Sequence, residues 1–334
     1  MRTAIRFVGL AVTGLILLLA TVWAMGALYF DLPIRSWRLP VAIVYGLAML
    51  ALFILVRNRW RGMALVAVCF AVVLAWWLAL KPRQDRDWKP EVAELGSAVI
   101  EGDRVTVHKV RNFDYRTETD FTPHYETRSY DLQKLRGVDL FVTYWGSPAI
   151  AHPILSFDFA DNGRICFSIE TRSQRGQSYS AIGGLYRQFE QIYIAADERD
   201  VIRLRSNFRK GEEVYLYRFT ALPKTARGAF LEYICTLNDL HARPRWYNVI
   251  ENNCTTAIRN QRTVAERAPW DWRMLANGYA DEMLYERGAI DRLSLPFAEL
   301  KRRSHINTRA RSANDAPDFS ARIRTHFEEE PYRR

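Results

Sequence analysis

The stretch His152-Pro-Ile-Leu-Ser-Phe-Asp-Phe-Ala-Asp-Asn-Gly-Arg-Ile-Cys-Phe-Ser-Ile-Glu170 decides the fold of the water-soluble part of this chain. Apolar and polar residues alternate on both sides of Asp161-Asn-Gly163, a strong turn signal. We therefore predict a β-hairpin with one apolar face. That face comprises Leu155, Phe157, Phe159, Ile165, Phe167 and Ile169.

The register of this hairpin determines which polar side chains meet on the opposite face. A three-residue turn with a left-handed Gly163 gives an even register that matches the two apolar faces. Ser156 then faces Ser168, and Glu170 faces Ile154, diagonal to His152. Because diagonal neighbours are within reach of long side chains, we predict that His152 and Glu170 share one polar face.

A second informative stretch is Trp246-Tyr-Asn-Val-Ile-Glu-Asn-Asn-Cys254, which precedes a run that can continue as a helix. Asn252 or Asn253 is a suitable N-cap, which puts Cys254 in the first helical turn. Free N–H groups and the helix dipole lower a thiol pKa there, and the same groups can stabilise an oxyanion. The alternative is that Cys254 is a small buried apolar residue.

Together these residues supply the parts of a thiol catalyst. Cys254 is the candidate nucleophile, His152 the base and Glu170 the group that orients the base. The corresponding chemistry is acyl transfer through a thioester, to water or to an amine. His241 lies in a linker, and no matched carboxylate can be derived for His108, His124, His305 or His326. A purely structural His152 is the competing interpretation.

Three apolar runs open the sequence, at residues 7–30, 41–56 and 63–80. Their lengths suit membrane spans, and Pro40 fits the first turn of the second helix. The first run is too long for a signal peptide and lacks a cleavage site. We therefore predict a membrane anchor of three helices.

The distribution of arginines suggests an orientation for this anchor. The loop Arg57-Asn-Arg-Trp-Arg61, together with Arg2 and Arg6, favours a cytoplasmic N-terminus, although other basic residues near the spans oppose it. The chain after residue 80 then lies outside. We expect a multi-pass protein of the bacterial cytoplasmic (inner) membrane whose C-terminal domain is periplasmic.

Length and composition define the remaining organisation. The length of 334 residues suggests two units rather than one, and the formal charge is +10. We predict an α+β protein with a membrane anchor at 1–80, a charged connector at 81–102 and a folded domain at 103–295, an antiparallel sheet with a cysteine-bearing helix. Residues 296–334 are expected to be a basic and polar tail that wraps loosely or is partly disordered.

Charge and cysteine usage limit the partners and cofactors. The positive charge suits an anionic lipid surface, and no recognition motif supports nucleic-acid binding. Cys69, Cys166, Cys235 and Cys254 form no CxxC pair and no zinc spacing. The sequence therefore implies no metal and no cofactor, and it indicates no oligomeric state.

A dense cluster of charged residues follows the hairpin. It comprises Arg172, Arg199, Asp200, Arg203 and Arg205. Ion pairs that organise loops explain such a cluster at least as well as substrate binding does. Arg172 is kept, with Asn253 and Tyr247, as a candidate supporting residue of the site.

Several ordered motifs carry a resemblance to a known family. They are Arg111-Asn-Phe-Asp-Tyr115, Tyr144-Trp-Gly146, His152 with Leu155-Ser-Phe157, Ser168-Ile-Glu-Thr-Arg172, Ala196-Asp-Glu-Arg-Asp-Val-Ile-Arg203, Val214-Tyr-Leu-Tyr217 and Trp246-Tyr-Asn248 with Asn253-Cys-Thr-Thr256. Residues 103–259 thereby resemble the family named after the N-terminal periplasmic domain of Lnb, a bacterial lipoprotein N-acyltransferase.

The resemblance implies a circularly permuted papain-like domain of the NlpC type, in which the histidine strand precedes the cysteine helix. It implies Cys254 as nucleophile, His152 as base and Glu170 as third member. One feature departs from Lnb, whose membrane helices follow the periplasmic domain, whereas here they precede it. The family also includes many members of unassigned activity.

Three hypotheses follow for the function. The first is a membrane-anchored thiol acyltransferase that acts on lipid or lipoprotein acyl groups at the periplasmic face. The second is a papain-like peptidase or amidase acting on cell-wall or periplasmic peptides with the same three residues. The third is a non-catalytic binding module on a membrane anchor.

Overall fold

The computed structural model describes residues 2–249 and 269–327 and divides into two compact units. The first, the membrane unit, comprises Met1–Gln84, Ser178–Glu190 and Trp246–Asn248. The second, the sheet unit, comprises Asp85–Gln177, Gln191–Arg245 and Val249–Arg334. The predicted combination of three apolar helices with an α+β part is confirmed.

The membrane unit contains the helices α1 (Arg2–Asp31), α2 (Arg35–Leu55) and α3 (Arg59–Ala79). Each is long and apolar enough to cross a bilayer. The prediction for Pro40 was wrong, because α2 begins at Arg35 and Pro40 lies inside the helix. Because proline has no backbone N–H, Pro40 removes one hydrogen bond of the helix.

The sheet unit is built on ten strands in its described part. They are β1 (Ser97–Glu101), β2 (Arg104–Arg111), β3 (Asp114–Tyr115), β4 (Phe121–Thr122), β5 (Tyr125–Asp131), β6 (Gly137–Trp145), β7 (Ser147–Asp158), β8 (Arg164–Arg172), β9 (Glu190–Ala196) and β10 (Glu212–Arg218). The main sheet has the order β1-β2-β9-β8-β7-β6-β10, with β5 paired to β2, and antiparallel pairs predominate.

The predicted hairpin is β7–β8, but its register differs from the prediction by two residues. Ile154 pairs with Ser168, and Asp158 with Arg164, so that residues 159–163 form a five-residue loop. The loop is longer than predicted because Ala160–Asn162 form a 3-10 turn before Gly163, which has the expected positive φ of 79°. A shift of two residues preserves both faces.

The apolar face of the hairpin packs against the helix α5 (Pro223–Ala242). Its inward residues were predicted from helical spacing. They are Phe230, Tyr233, Ile234, Leu237 and Leu240, and all are buried. Phe230 makes aromatic contacts with Phe157, Phe159 and Phe167 across this interface. The large rings therefore hold helix and hairpin together on this face.

The opposite face is covered by the C-terminal part of the chain, which corrects the expectation of a loosely wrapped tail. Beyond α4 (Glu198–Arg203) and α6 (Ala280–Glu286) come α7 (Phe297–Ser304), α8 (Asn307–Ser312) and α9 (Phe319–Arg322). A few apolar residues among many basic ones form a second core with the sheet. They are Ile306, Ala310, Ala313, Phe319, Ile323 and Phe327.

Candidate functional site

The structure brings His152 and Glu170 together on the face of β7 and β8 opposite α5. His152 is 6% exposed, and its backbone pairs with Thr143 of β6. The hairpin register, continued by two residues beyond Ile154 and Ser168, places Glu170 opposite His152. The imidazole Nε2 lies 3.1 Å from Oε1 of Glu170. The predicted diagonal relation is therefore replaced by a closer, direct one.

Ser168 lies between these two side chains and contacts both. Its hydroxyl donates to Oε1 of Glu170 at 2.6 Å and lies 2.8 Å from Nε2 of His152. Because the single hydroxyl proton points to the carboxylate, the Ser168 oxygen accepts from Nε2–H. This assigns the Nε2–H tautomer to a neutral His152, which makes Nδ1 the basic nitrogen.

Arg205 also binds the carboxylate of Glu170. One terminal nitrogen donates to Oε1 of Glu170 at 2.9 Å, and the other lies 3.1 Å from Glu212. Arg205 belongs to a π-helical turn, Leu204–Phe208, that continues α4. Such turns are rare and often occur at functional sites. The guanidinium thus keeps the carboxylate of Glu170 in contact with the imidazole.

These neighbours determine the protonation of Glu170. Burial by itself raises the pKa of a carboxyl group, but the electrostatic interactions with His152 and Arg205 and the hydrogen bonds from His152 and Ser168 outweigh this effect on Glu170. The pKa of Glu170 therefore lies well below its usual value, and the group is ionised at neutral pH. A fixed anion beside Nε2 stabilises an imidazolium formed when Nδ1 takes a proton.

Of the other predicted site residues, Cys254 and Asn253 lie outside the described residues. Tyr247 is buried in the membrane unit, where its N–H donates to the Phe189 carbonyl at 2.9 Å. Arg172 donates to the carbonyls of Val92 at 2.9 Å and Ala93 at 2.6 Å.

The charged cluster consists largely of internal contacts. Arg111 makes a bidentate, buried pair with Asp200, at 3.0 and 2.7 Å. Arg203 donates to the Arg199 carbonyl at 2.9 Å. These contacts fit the interpretation as ion pairs that organise loops, and Arg205 contacts Glu170.

Sequence reasoning missed the roles of Ser168, Arg205 and Glu212. Alternation had placed Ser168 on the polar face, which was a usable signal, but no local signal connects Arg205 with β8.

The sequence also did not indicate two further pairs of a histidine with a carboxylate. His305 contacts Glu213, and His124 lies 3.4 Å from Glu126. Both pairs are more exposed than His152 and Glu170.

An apolar cavity of about 390 Å³ lies within the sheet unit, between β6, β7, α5 and α6. Pro153 and Leu155 line it, and they point away from the face that carries His152. The cavity is therefore separated from the imidazole by the sheet.

Three apolar spanning helices and an α+β domain define the class, a membrane-anchored protein with a folded domain outside the bilayer. Residues 121–278 match the model of the Lnb N-terminal periplasmic domain. The match includes the positions of His152, Glu170 and Cys254. Searches of curated proteins and of solved structures found no match.

Proposed function

We propose that this protein is a cysteine-dependent acyltransferase that acts on lipid or lipoprotein acyl groups at the periplasmic face of the cytoplasmic membrane. The observation that carries the proposal is the buried His152, oriented by Ser168 and an ionised Glu170. The match to the Lnb N-terminal periplasmic domain spans Cys254, and the three apolar helices are long enough to tether the domain to a bilayer.

The proposed reaction has two steps. Nδ1 of His152 takes the thiol proton of Cys254, and the thiolate attacks the acyl carbonyl of the donor ester. The ester C–O bond breaks, the leaving alcohol takes the proton from His152, and a thioester remains. An amine then attacks the thioester, loses a proton to His152 and leaves as the amide, while the sulfur is reprotonated.

Trapping of the thioester tests this proposal. The full chain in nanodiscs is incubated with phospholipids that carry a labelled acyl chain, and label released by neutral hydroxylamine is measured. We expect labelling of the wild type, none of Cys254→Ser and a strong decrease for His152→Ala. Cys235→Ser is the matched control, because Cys235 is an exposed thiol elsewhere. Folded protein that never forms a thioester with any phospholipid or lipoprotein donor would contradict the proposal.

Water in place of the amine gives a hydrolase with the same residues, so the acceptor must be tested separately. Cys254-dependent cleavage of cell-wall peptides, with no transfer of acyl groups, would establish the peptidase or amidase instead. A binding module predicts that Cys254→Ser and His152→Ala leave the cellular phenotype unchanged.

A further inference from the structure

The segment Ser178–Glu190 connects β8 and β9, yet it belongs to the membrane unit. We call it the β8–β9 segment. Its contacts with the helices are specific hydrogen bonds and ring contacts, and they define where along the helices the segment lies.

Arg187 binds the C-terminal end of α3. Its guanidinium donates to the carbonyls of Trp77 at 2.5 Å, Leu78 at 3.0 Å and Leu80 at 2.6 Å, and it stacks 4.1 Å from the Trp77 ring. The last carbonyls of a helix have no donor within the helix, and a cation is favourable there. Arg187 therefore caps this helix from the β8–β9 segment.

A second group of contacts reaches the end of α1. The carboxylate of Asp31 accepts from the Arg187 N–H at 3.1 Å, the Gln188 amide at 2.9 Å and the Trp77 indole at 2.7 Å. The Gln188 amide also donates to the Phe30 carbonyl. The segment is thus tied to the ends of two spans on the same side of the bundle.

Tyr186 extends from there along α1, toward the middle of the span. Its ring stacks on Phe30 with 5.0 Å between centroids and lies 6.1 Å from Trp23. A Cβ atom on Gly26 would lie 1.9 Å from the Tyr186 hydroxyl, so the glycine provides the space. At a rise of 1.5 Å per residue, Gly26 is about 7 Å and Trp23 about 12 Å inside the helix end at Asp31.

The turn beside Tyr186 presents apolar side chains outward. Gly183–Leu185 form a 3-10 turn, with Ile182 62% and Leu185 41% exposed, and Tyr179 is 54% exposed. A 3-10 turn rises about 2 Å per residue, so Leu185 lies within about 2 Å and Ile182 within about 8 Å of Tyr186 along the turn axis, near the part of α1 that Tyr186 contacts. Surface at that depth on a spanning helix faces lipid, which is where exposed apolar side chains are stable.

We infer that the β8–β9 segment inserts into the outer leaflet, with Ile182 and Leu185 among the lipid acyl chains and Tyr179 at the headgroup level. The partner of this surface is the bilayer itself. The inference does not depend on the proposed enzymatic function, because the contacts that carry it lie within the membrane unit and the choice of leaflet follows from the match to a periplasmic domain.

A fluorescent label at position 182 tests the insertion. Ile182→Cys is labelled with an environment-sensitive dye in a chain carrying Cys235→Ser and Cys254→Ser, and the same chain without Ile182→Cys corrects for background. In nanodiscs we expect several-fold stronger quenching by lipids with a nitroxide on the acyl chain than by aqueous iodide, as for a Leu19→Cys reference within α1. Efficient quenching by iodide with none by the lipids would overturn the inference.

A second variant tests whether Tyr186 holds the segment at this depth. Gly26→Leu fills the space that Tyr186 occupies, whereas Gly9→Leu on the same helix meets nothing within 4 Å. We expect Gly26→Leu to decrease the lipid quenching of the label at position 182 several-fold and Gly9→Leu to leave it unchanged. Unchanged lipid quenching in Gly26→Leu would contradict the claim that Tyr186 holds the segment at this depth. Decreased quenching in both variants would indicate a general disturbance of α1 and would contradict the claim as well.

Discussion

Nε2 of His152 lies 3.1 Å from Oε1 of Glu170, and both atoms contact the hydroxyl of Ser168. A histidine, a serine and a carboxylate therefore form one hydrogen-bonded group across the β7–β8 hairpin. This group leaves Nδ1 as the basic nitrogen of a neutral His152. A thiol that contacts Nδ1 should therefore lose its proton more easily and react faster with an alkylating reagent.

His152→Ala is expected to slow the alkylation of Cys254 by about ten-fold or more at pH 6, where a thiol of ordinary pKa near 8.5 is only about 0.3% ionised. Glu170→Gln should slow it less, because the imidazole remains. The measurement is the alkylation rate against pH, resolved by peptide mass spectrometry. The exposed Cys235 serves as an internal control in every sample. If Cys254 is alkylated slowly and neither substitution changes its rate, this cysteine is structural.

Ser168→Ala removes the hydroxyl that positions both partners, so the pH profile of Cys254 alkylation should shift toward higher pH. The hydrogen bond from Ser168 helps to lower the pKa of Glu170, so that its loss weakens the anion beside Nε2. Ser156→Ala is the matched control, since Ser156 is an equally buried serine on the same face whose hydroxyl donates to Glu198 at 2.5 Å. Equal shifts in both variants would refute a positioning role for Ser168.

Arg324→Ala should destabilise the sheet unit by about 3–5 kcal/mol, because it leaves buried carboxylates unpaired. The Arg324 guanidinium donates to Asp139 at 2.8 Å and to Glu198 at 2.8 Å. Thermal unfolding in nanodiscs measures the effect, with Arg322→Ala as control. Arg322 pairs with Asp318 at the surface, and its loss should cost less than about 1 kcal/mol. Similar midpoints for the two variants would contradict this account of the C-terminal helices.

The ion pair between Glu198 and Arg324 should also make the stability of the sheet unit depend on pH. Burial would raise its pKa, but Arg324 and Arg164 together with the hydrogen bonds lower it to about 2. A carboxyl group with a lowered folded pKa stabilises the fold above its unfolded value near 4.3 and loses that contribution as pH falls toward 2. As the pH falls from about 4.3 to 2, the unfolding temperature of Arg324→Ala should therefore decrease less steeply than that of the wild type.

His326 should make the stability of the wild-type protein decrease as the pH falls from 6.5 to 4.5. Burial, with Arg309, Arg324 and Arg218, lowers the pKa of His326 to about 3 despite its contact with the Leu216 carbonyl. A histidine that is neutral when folded contributes stability above its unfolded pKa near 6.5, and this contribution decreases as pH falls. Between pH 6.5 and 4.5 the unfolding temperature of His326→Gln should fall less steeply than that of wild type.

The control for this last experiment is His124→Gln, because His124 is exposed and lies between β4 and β5, in another part of the sheet unit. Its unfolding temperature should follow the wild-type curve. A wild-type curve that is flat between pH 6.5 and 4.5 would show that His326 is not neutral and buried in the folded protein.

Much of the site was predictable because its two central residues follow a local pattern. Strict alternation on β7 and β8 placed His152, Ser168 and Glu170 on one face, and an error of two residues in the register left that face unchanged. The distance between His152 and Glu170 was not predictable, because it depends on the five-residue loop that sets the register.

The contribution of Arg205 required the tertiary structure. It reaches Glu170 from a π-helical turn that is 35 positions away along the chain, and no periodicity connects the two. The C-terminal helices show the same limit. Their basic composition suggested a loose tail, whereas a few apolar side chains and the buried Arg324 dock them on the sheet.

The sequence by itself determined the three spans, the α+β class, the resemblance to the Lnb N-terminal periplasmic domain, the hairpin and the helix α5. These follow from apolar length, from periods of two and of about 3.6 residues, and from ordered motifs, all of which are encoded in neighbouring residues. Only the tertiary structure decided the register opposite His152, the contacts of Arg205, the covering of the second sheet face and the docking of Tyr186 beside Gly26. These contacts join residues far apart in sequence, and their geometry depends on how whole elements pack.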